Sequence, residues 1–353
     1  VGTDALGRVI EEADRAREGT RYVGIWYSLW EGQHTYMQSA IYDNQVLLST
    51  EEGAAKLASP DDCEETRLNE FHFCSQPLYG YYNMRDPWVV ARHVELLTAA
   101  GVDYLCFDTT NAIVYNEVAE LVLNTLQTYQ NQGFKVPKAM FYVNSNTGTT
   151  ARKIYNAFYQ TEKYDDIWFS PNGKPMICGI TSDNRGASDQ VLANPDYSDV
   201  FPDSIAERFD LRESQWPQGS IEHENALPWM SWKYPQSIHP NLKAISVSVA
   251  QNSGMHMSDS VQFENSPNGI DYYNKNWGRG YTDEGKNSKD RVDEGANFQE
   301  QWDVAMRSDA RIVFLLEWNE WSALKLATTV EGIGNTVVFF DCATPEFSRD
   351  IEP

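Results

Sequence analysis

Residues Arg311–Trp321 read RIVFLLEWNEW. Five apolar residues, Ile312 to Leu316, run unbroken and then give way to two carboxylates, an amide and two indoles. A short apolar run closed by polar residues fits a strand buried on both faces, as parallel sheets require. The polar cluster then falls at the C-terminal end of that strand, where α/β barrels and open α/β sheets build their sites. Glu317 and Glu320 sit in the most apolar neighbourhood of the chain. A buried carboxylate is costly unless hydrogen-bonded, paired or protonated, and a raised pKa is what a general acid needs. A structural ion pair is the competing reading for the same two residues. Because they lie three apart, a straight strand points them to opposite faces. They share one site only if the strand bulges or ends between them.

The segments upstream repeat the same grammar. Tyr22–Trp30 (YVGIWYSLW) is β-branched and aromatic, a first strand. Residues 1–21 are polar with helical spacing, and residues 32–76 read as a polar insertion with a helix-like EEGAAKLA at its centre. Asp86-Pro87 is an N-cap followed by proline at the first helical position, opening a helix that stops at Gly101. Asp103–Asp108 is a strand, about 112–130 a helix, Lys138–Val143 a strand, about 150–160 a helix and Lys174–Ile180 a strand. Asp210–Trp216, Trp229–Tyr234 and Ala244–Val249 are further strands or strand ends. Residues 253–290 read as a long loop, 292–308 as a helix, and the chain beyond Thr328 as short and partly extended. Strand and helix alternating at this spacing predict parallel βαβ units. The expectation is a (β/α)8 TIM barrel with long insertions at about 32–76 and 253–290, all in one domain over residues 1–353.

Composition narrows the function. Apolar residues make up 41% of 353, which supplies a large core and excludes global disorder. The net charge of −23, from 51 acidic against 28 basic residues, argues against a nucleic-acid backbone or an anionic membrane as partner. No stretch approaches the length of a membrane span. With 11 Trp and 19 Tyr, the chain is rich in side chains that join a flat apolar face to a polar edge. A sugar ring presents the matching surface. The expected partner is a carbohydrate, met by a monomer in a secreted or periplasmic setting. Five cysteines show no metal-ligand spacing. Cys106 and Cys178 read as buried thiols, while Cys63 and Cys74 flank a polar loop and can pair in an oxidising compartment. The six His are scattered, Asn194–Asp203 lacks the spaced ligands of a calcium loop, and His223 and His256 fall in loops. There is no phosphate loop, dinucleotide fingerprint or nucleophile elbow. No metal and no cofactor is expected.

Asp108 ends its strand as Glu320 ends the last one. Two carboxylates on one barrel rim are the minimal equipment for glycoside hydrolysis, one protonating the leaving oxygen and the other acting as nucleophile or base. The catalytic candidates are therefore Glu320, Asp108 and Glu317. Strand-end positions add substrate-binding candidates: Trp26, Tyr27, Trp30, Tyr81, Tyr82, Asn111, Tyr142, Asn144, Glu213, Trp216, Trp232, Trp318, Asn319 and Trp321, with Arg212 beside them. The aromatic ones can stack on sugar faces and the amides can bind hydroxyls. For each alone, core packing competes with that role.

Two segments carry a family resemblance. PLYGYYNMRDPWVVARHVELLTAAGVDYLCFD (77–108) resembles the opening β/α unit of family 99-like glycoside hydrolases and their relatives in polysaccharide loci. LLEWNEW (315–321) resembles the Asn-Glu-Trp segment on their last strand, and SRDIEP (348–353) is similar to the ends of such domains. The family 71 α-glucanases are more distantly alike. The resemblance implies a (β/α)8 barrel without metal that acts on glycans, often inside α-linked chains. In the endo-α-mannosidase branch Asn-Glu-Trp is followed by His-Glu, and both Glu residues are catalytic. The first maps to Glu320. The second falls at Ala323, so Glu317, Asp108 or Glu213 must supply the missing carboxylate, or the substrate differs. A glycan-binding barrel without catalysis, and a sugar lyase or transferase on the same fold, stand as alternatives.

Overall fold

The computed structural model describes residues 2–3, 6–10, 20–32, 38–182, 197–215, 225–229, 236, 243–250, 277–284, 288–330, 334–340 and 344–353. Eight parallel strands follow one another around one sheet: β1 (Tyr22–Tyr27), β2 (Tyr104–Thr109), β3 (Lys138–Val143), β4 (Met176–Gly179), β5 (Asp210–Gln215), β6 (Ala226–Pro228), β7 (Ala244–Ser248) and β8 (Ile312–Leu316). The ladder runs β7–β8–β1–β2–β3–β4–β5–β6, with β8 placing Ile312 against Tyr22 on β1 and Ala244 on β7. β6 and β7 lie side by side, and Ser246 Oγ donates to Trp229 O across them at 3.3 Å. This is a (β/α)8 barrel.

Strand periodicity sorts the core into two layers. On β1, Trp26 points into the barrel, where it packs with Tyr104, Cys106, Met140, Tyr142, Phe314 and Leu316. Ile25 and Tyr27, on the other face, join Leu105, Phe107, Phe141, Val313 and Leu315 beneath the helices. β8 alternates the same way, which is why its sequence is apolar without interruption. Helix α1 (Pro87–Ala99) begins as its sequence requires: Asp86 accepts from Trp88 N at 2.8 Å, and proline follows. Gly101, at φ +75°, follows the helix end, and its amide bonds back to Thr98 O.

Gly24 faces the barrel interior beside Tyr104, and a Cβ built there would lie 2.0 Å from the ring. That ring stacks on Phe169 with centroids 4.1 Å apart, so it has little room to yield. Gly24→Val is expected to destabilise by about 1–3 kcal/mol through overpacking. A urea midpoint matching wild type would show instead that the Tyr104 stack moves aside.

Several element bounds differ from the sequence expectation. Helix α2 is Asn116–Asn131, starting four residues later than the apolar spacing suggests because Ala112 and Tyr115 take positive φ (67° and 50°). Helix α3 is Thr147–Ile154, continued by a π turn over Tyr155–Tyr159. Helix α4 is Ala296–Arg307. Residues 77–83 form turns, and Gly2–Thr3 pairs with Val9–Ile10 as antiparallel strands. The region after β8 is more regular than expected. Ser322–Val330 and Gly334–Phe340 pair antiparallel, and Phe71–Phe73 of the insertion adds a third strand. The insertion also carries short helices at Asn44–Leu48 and Glu51–Ala58. Lys325 is buried between these parts, its ammonium donating to Thr66 O at 3.0 Å and Thr66 Oγ1 at 2.9 Å. Burial lowers its pKa to about 8.

Cys63 and Cys74 are free thiols, so the bridge their spacing allowed is not formed. Cys74 instead packs in the core beside Ser75. Among the described residues, no helix is long and apolar enough to cross a membrane.

Candidate active site

β8 ends at Leu316, and the chain beyond it no longer alternates. The Leu316–Glu317 peptide is cis. Trp318 N–H donates to Trp26 O at 2.9 Å. Asn319 is fully buried and grips Ser28 twice, accepting from its amide at 2.9 Å and donating to its carbonyl at 3.0 Å. These bonds pin the segment across the end of β1. With the strand ended, the Glu317 and Glu320 side chains come close enough for each to act on the other's ionisation despite their three-residue separation.

The electrostatics of the pair follow from burial. Glu317 is 1% exposed, and loss of solvent pushes it well above the usual carboxylate range. The Arg349 guanidinium opposes that, reaching both Glu317 oxygens at 3.5 Å. Glu320 is half-buried and is pushed up to about 8, by desolvation first and the Asp108 charge second. Asp108, on the end of β2, is itself raised by burial, while the amide and hydroxyl of Thr110 donate to its Oδ1 at 2.9 and 2.8 Å. Asp350 accepts the Glu320 amide on Oδ1 and the Ser348 hydroxyl on Oδ2 at 2.8 Å. A fifth acid, Glu31, lies just beyond β1, where Ser322 Oγ donates to its two oxygens at 3.0 and 3.2 Å.

The structure disperses the other candidates. Trp26 and Tyr142 close the top of the barrel core: their rings meet at 5.1 Å, and the Tyr142 hydroxyl donates to Leu227 O at 2.8 Å while accepting from Gln215 N at 2.9 Å. Asn144, on the rim, accepts from Ser214 Oγ at 3.1 Å. Trp30 packs on Phe71, and Tyr81 donates to Asp43 at 2.7 Å, so both hold the insertion. Asn111 is exposed and accepts from Ile113 N at 3.4 Å. Glu213 is buried and accepts from Thr181 N at 2.9 Å and Thr181 Oγ1 at 2.7 Å, which fixes the chain after β4. Arg212 pairs with Asp210 at 2.6 Å.

Four aromatic expectations are corrected. Tyr27, Tyr82, Trp318 and Trp321 belong to the layer between strands and helices, on the far side of the backbone from the barrel interior. They surround the buried carboxylate of Glu352. Tyr82 OH donates to its Oε2 at 2.5 Å, Trp321 Nε1 to the same oxygen at 2.6 Å, and His93 Nε2 sits 2.8 Å from Oε1. The Tyr27 hydroxyl bonds His93 Nδ1 at 2.9 Å, and Trp318 packs edge-on to His93. The period-2 rule that turns Trp26 inward turns Tyr27 outward. Ala323 is also no part of the site: it is fully buried opposite His72 in the three-stranded sheet, against Leu57 and Phe339. Of the three carboxyls that could stand in for a glutamate there, Glu317 and Asp108 lie near enough to act on Glu320, while Glu213 is bound to Thr181. Trp216, Trp232, His223 and His256 fall outside the described residues.

Sequence reasoning missed the contributions of Arg349, Asp350 and Glu352. SRDIEP has no periodicity, so nothing local says that its charged residues are buried. Glu31, four residues past the end of β1, is 1% exposed, and nothing in its local sequence marks that burial.

Glu31 gives a stability prediction. Its pKa is pushed up to about 8 by burial, against the Ser322 hydrogen bond and with help from the Asp350 charge. The folded protein thus holds a proton that the unfolded chain releases near 4.5. The stability this contributes is full below the unfolded value and is lost as pH rises through about 8. Urea unfolding at about pH 5 and about pH 8.5 should show wild type losing more stability with rising pH than Glu31→Gln. Parallel losses would place an ionised Glu31 in the fold.

Among the described residues no group of three or more His, Cys, Asp or Glu is arranged to hold a metal ion. The arrangement can hold and move protons: neighbouring acids, desolvated and acting on one another, at a barrel mouth.

No family model matches the sequence, and no curated protein matches it. Among solved structures, the chain is similar to a GH99 endo-alpha-mannosidase from Bacteroides thetaiotaomicron, with a TM-score of 0.46 at 11% identity over 85% of each chain. A second structure of that enzyme, with BIS-TRIS-propane, gives a TM-score of 0.42 at 12% identity over 89% of this chain and 90% of the other. A glycoside hydrolase-like protein gives 0.42 at 14% identity, over 90% and 88%.

Proposed function

We propose that this barrel is a glycoside hydrolase acting on an α-linked poly- or oligosaccharide through Glu317 and Glu320, with Asp108 beside them. The observation that carries the reading is the placement of two buried carboxyls, Glu317 and Glu320, together at the end of β8, each acting on the other's ionisation and Glu320 within the field of Asp108. Both acids are raised, so near neutral pH the pair keeps a proton that isolated carboxyls would have lost. One member protonates the departing glycosidic oxygen. The other, ionised, faces the anomeric carbon as base or nucleophile.

The test is incubation of the full chain with a panel of α- and β-linked glycans, reading reducing ends and, by proton NMR, the first anomer released. Cleavage of at least one α-linked glycan is the expected result, and the first anomer released assigns retention or inversion. Binding without new reducing ends would make the barrel a glycan-binding protein. Unsaturated product ends would make it a lyase.

A further inference from the structure

The segment Ser348–Glu352 runs alongside the end of β8 in a fixed register. Glu317 N–H donates to Arg349 O at 3.1 Å, Ile351 N–H to Glu317 O at 3.1 Å and Glu352 N–H to Trp318 O at 3.0 Å. That register delivers two side chains to the carboxyl pair. Arg349 faces both oxygens of Glu317 at 3.5 Å and spreads its guanidinium over Trp229, 5.6 Å from the ring centroid. Asp350 takes the Glu320 amide. Both are 1% exposed. Anchoring alone does not call for them, since the three backbone bonds and the buried Glu352 already hold the segment. Burying an arginine and an aspartate is costly unless each has a partner that uses its charge.

We propose that Arg349 and Asp350 are positioning residues: a guanidinium and a carboxyl of opposite charge, set against Glu317 and Glu320, that decide how tightly the pair holds its proton. The proposal rests on the reading of those two glutamates as the reacting pair. Among the described residues, the charged and titratable groups facing the pair are Arg349, Asp350 and Asp108. Arg279, which donates to Ser348 O at 3.0 Å and to Asp350 O, and Glu31 act on Asp350 in turn. The positive charge of Arg349 favours the ionised pair, and the negative charge of Asp350 favours the protonated one. Removing them must therefore act with opposite sign, which a merely structural role would not do.

The measurement is a 13C NMR titration of the full chain labelled at glutamate Cδ, without substrate, with the two signals assigned through Glu317→Gln and Glu320→Gln. Arg349→Met is expected to move the pair's titration to higher pH and Asp350→Asn to lower pH. Arg349→Lys keeps the charge and should stay near wild type. Asparagine at 350 still accepts the Glu320 amide, so that variant preserves the backbone contact. The pH profile of cleavage should follow the same two directions. Shifts in one common direction, or none, overturn the proposal. Should Arg349→Met fail to fold, Asp350→Asn alone decides it, a downward shift supporting and any other result overturning. A chain that cleaves no glycan yet shows opposed titrations would remove the proposed function and keep the positioning. Cleavage with titrations that move together would do the reverse.

Discussion

Glu320→Gln is expected to lower glycan cleavage by roughly 10²-fold or more, the scale of a positioned acid or base. Glutamine keeps the shape of the side chain and one acceptor oxygen, so it can still meet Glu317. What it cannot do is hold or release the proton. The backbone of residue 320 is fixed independently, by Asp350 and by the Asn319–Ser28 pair, so the substitution leaves the segment's course intact. Substrate affinity should change far less than turnover, because the loss falls on proton transfer in the transition state. Glu317→Gln should cost a similar factor, since two groups that share one proton act as a unit. Asp108→Asn is expected to act differently: it removes the charge that helps raise Glu320, moving the pH profile to lower values. Cleavage unchanged by Glu320→Gln would move the chemistry elsewhere on the rim, with Asp108 next to test.

The fold was legible where burial was two-sided and short. Ile312–Leu316 could be read as an inner strand because no polar residue breaks it, and Asp86-Pro87 to Gly101 because caps state both ends of a helix. β6 was harder. Among the described residues it is Ala226–Pro228, too short for any pattern to mark, and the expected Trp229–Tyr234 strand lies beyond Trp229 outside the described residues. The three-stranded sheet escaped because Phe71–Phe73 and Ser322–Leu324 pair across some 250 residues, a distance over which composition carries no information. In the site, residue type and strand-end position singled out Glu317, Glu320 and Asp108. The same rule over-selected aromatics, because a strand end exposes one face to the mouth and hides the other. Which face Tyr27 or Trp318 takes depends on register, and the order of residues alone does not set register. Arg349 and Asp350 carried no sign of burial beyond the likeness of SRDIEP to the ends of family 99-like domains. Their positions come from backbone bonds to residues some thirty places earlier.

Glu352→Leu is expected to be the most damaging single substitution for stability, on the order of 3–5 kcal/mol, the cost of removing one partner from a buried charged cluster. The 4% exposed carboxylate receives Tyr82 OH and Trp321 Nε1 on one oxygen and faces His93 on the other. Leucine fills much of the volume but satisfies none of the three, and each orphaned polar group then pays its own desolvation. The effect extends past the hub. Glu352 N–H also bonds Trp318 O, so loosening the hub loosens the register that places Arg349 and Asp350. Glu352→Gln should be milder. Its amide oxygen can still accept from Tyr82 and Trp321, and its NH2 can face His93 if the ring proton moves to Nδ1 and is accepted by Tyr27. Urea unfolding should therefore rank the midpoints wild type, then Gln, then Leu. A Leu variant as stable as wild type would mean that the cluster's desolvation cost cancels its hydrogen bonds, as some buried ion pairs do. In that case the backbone bonds alone would hold the segment against β8.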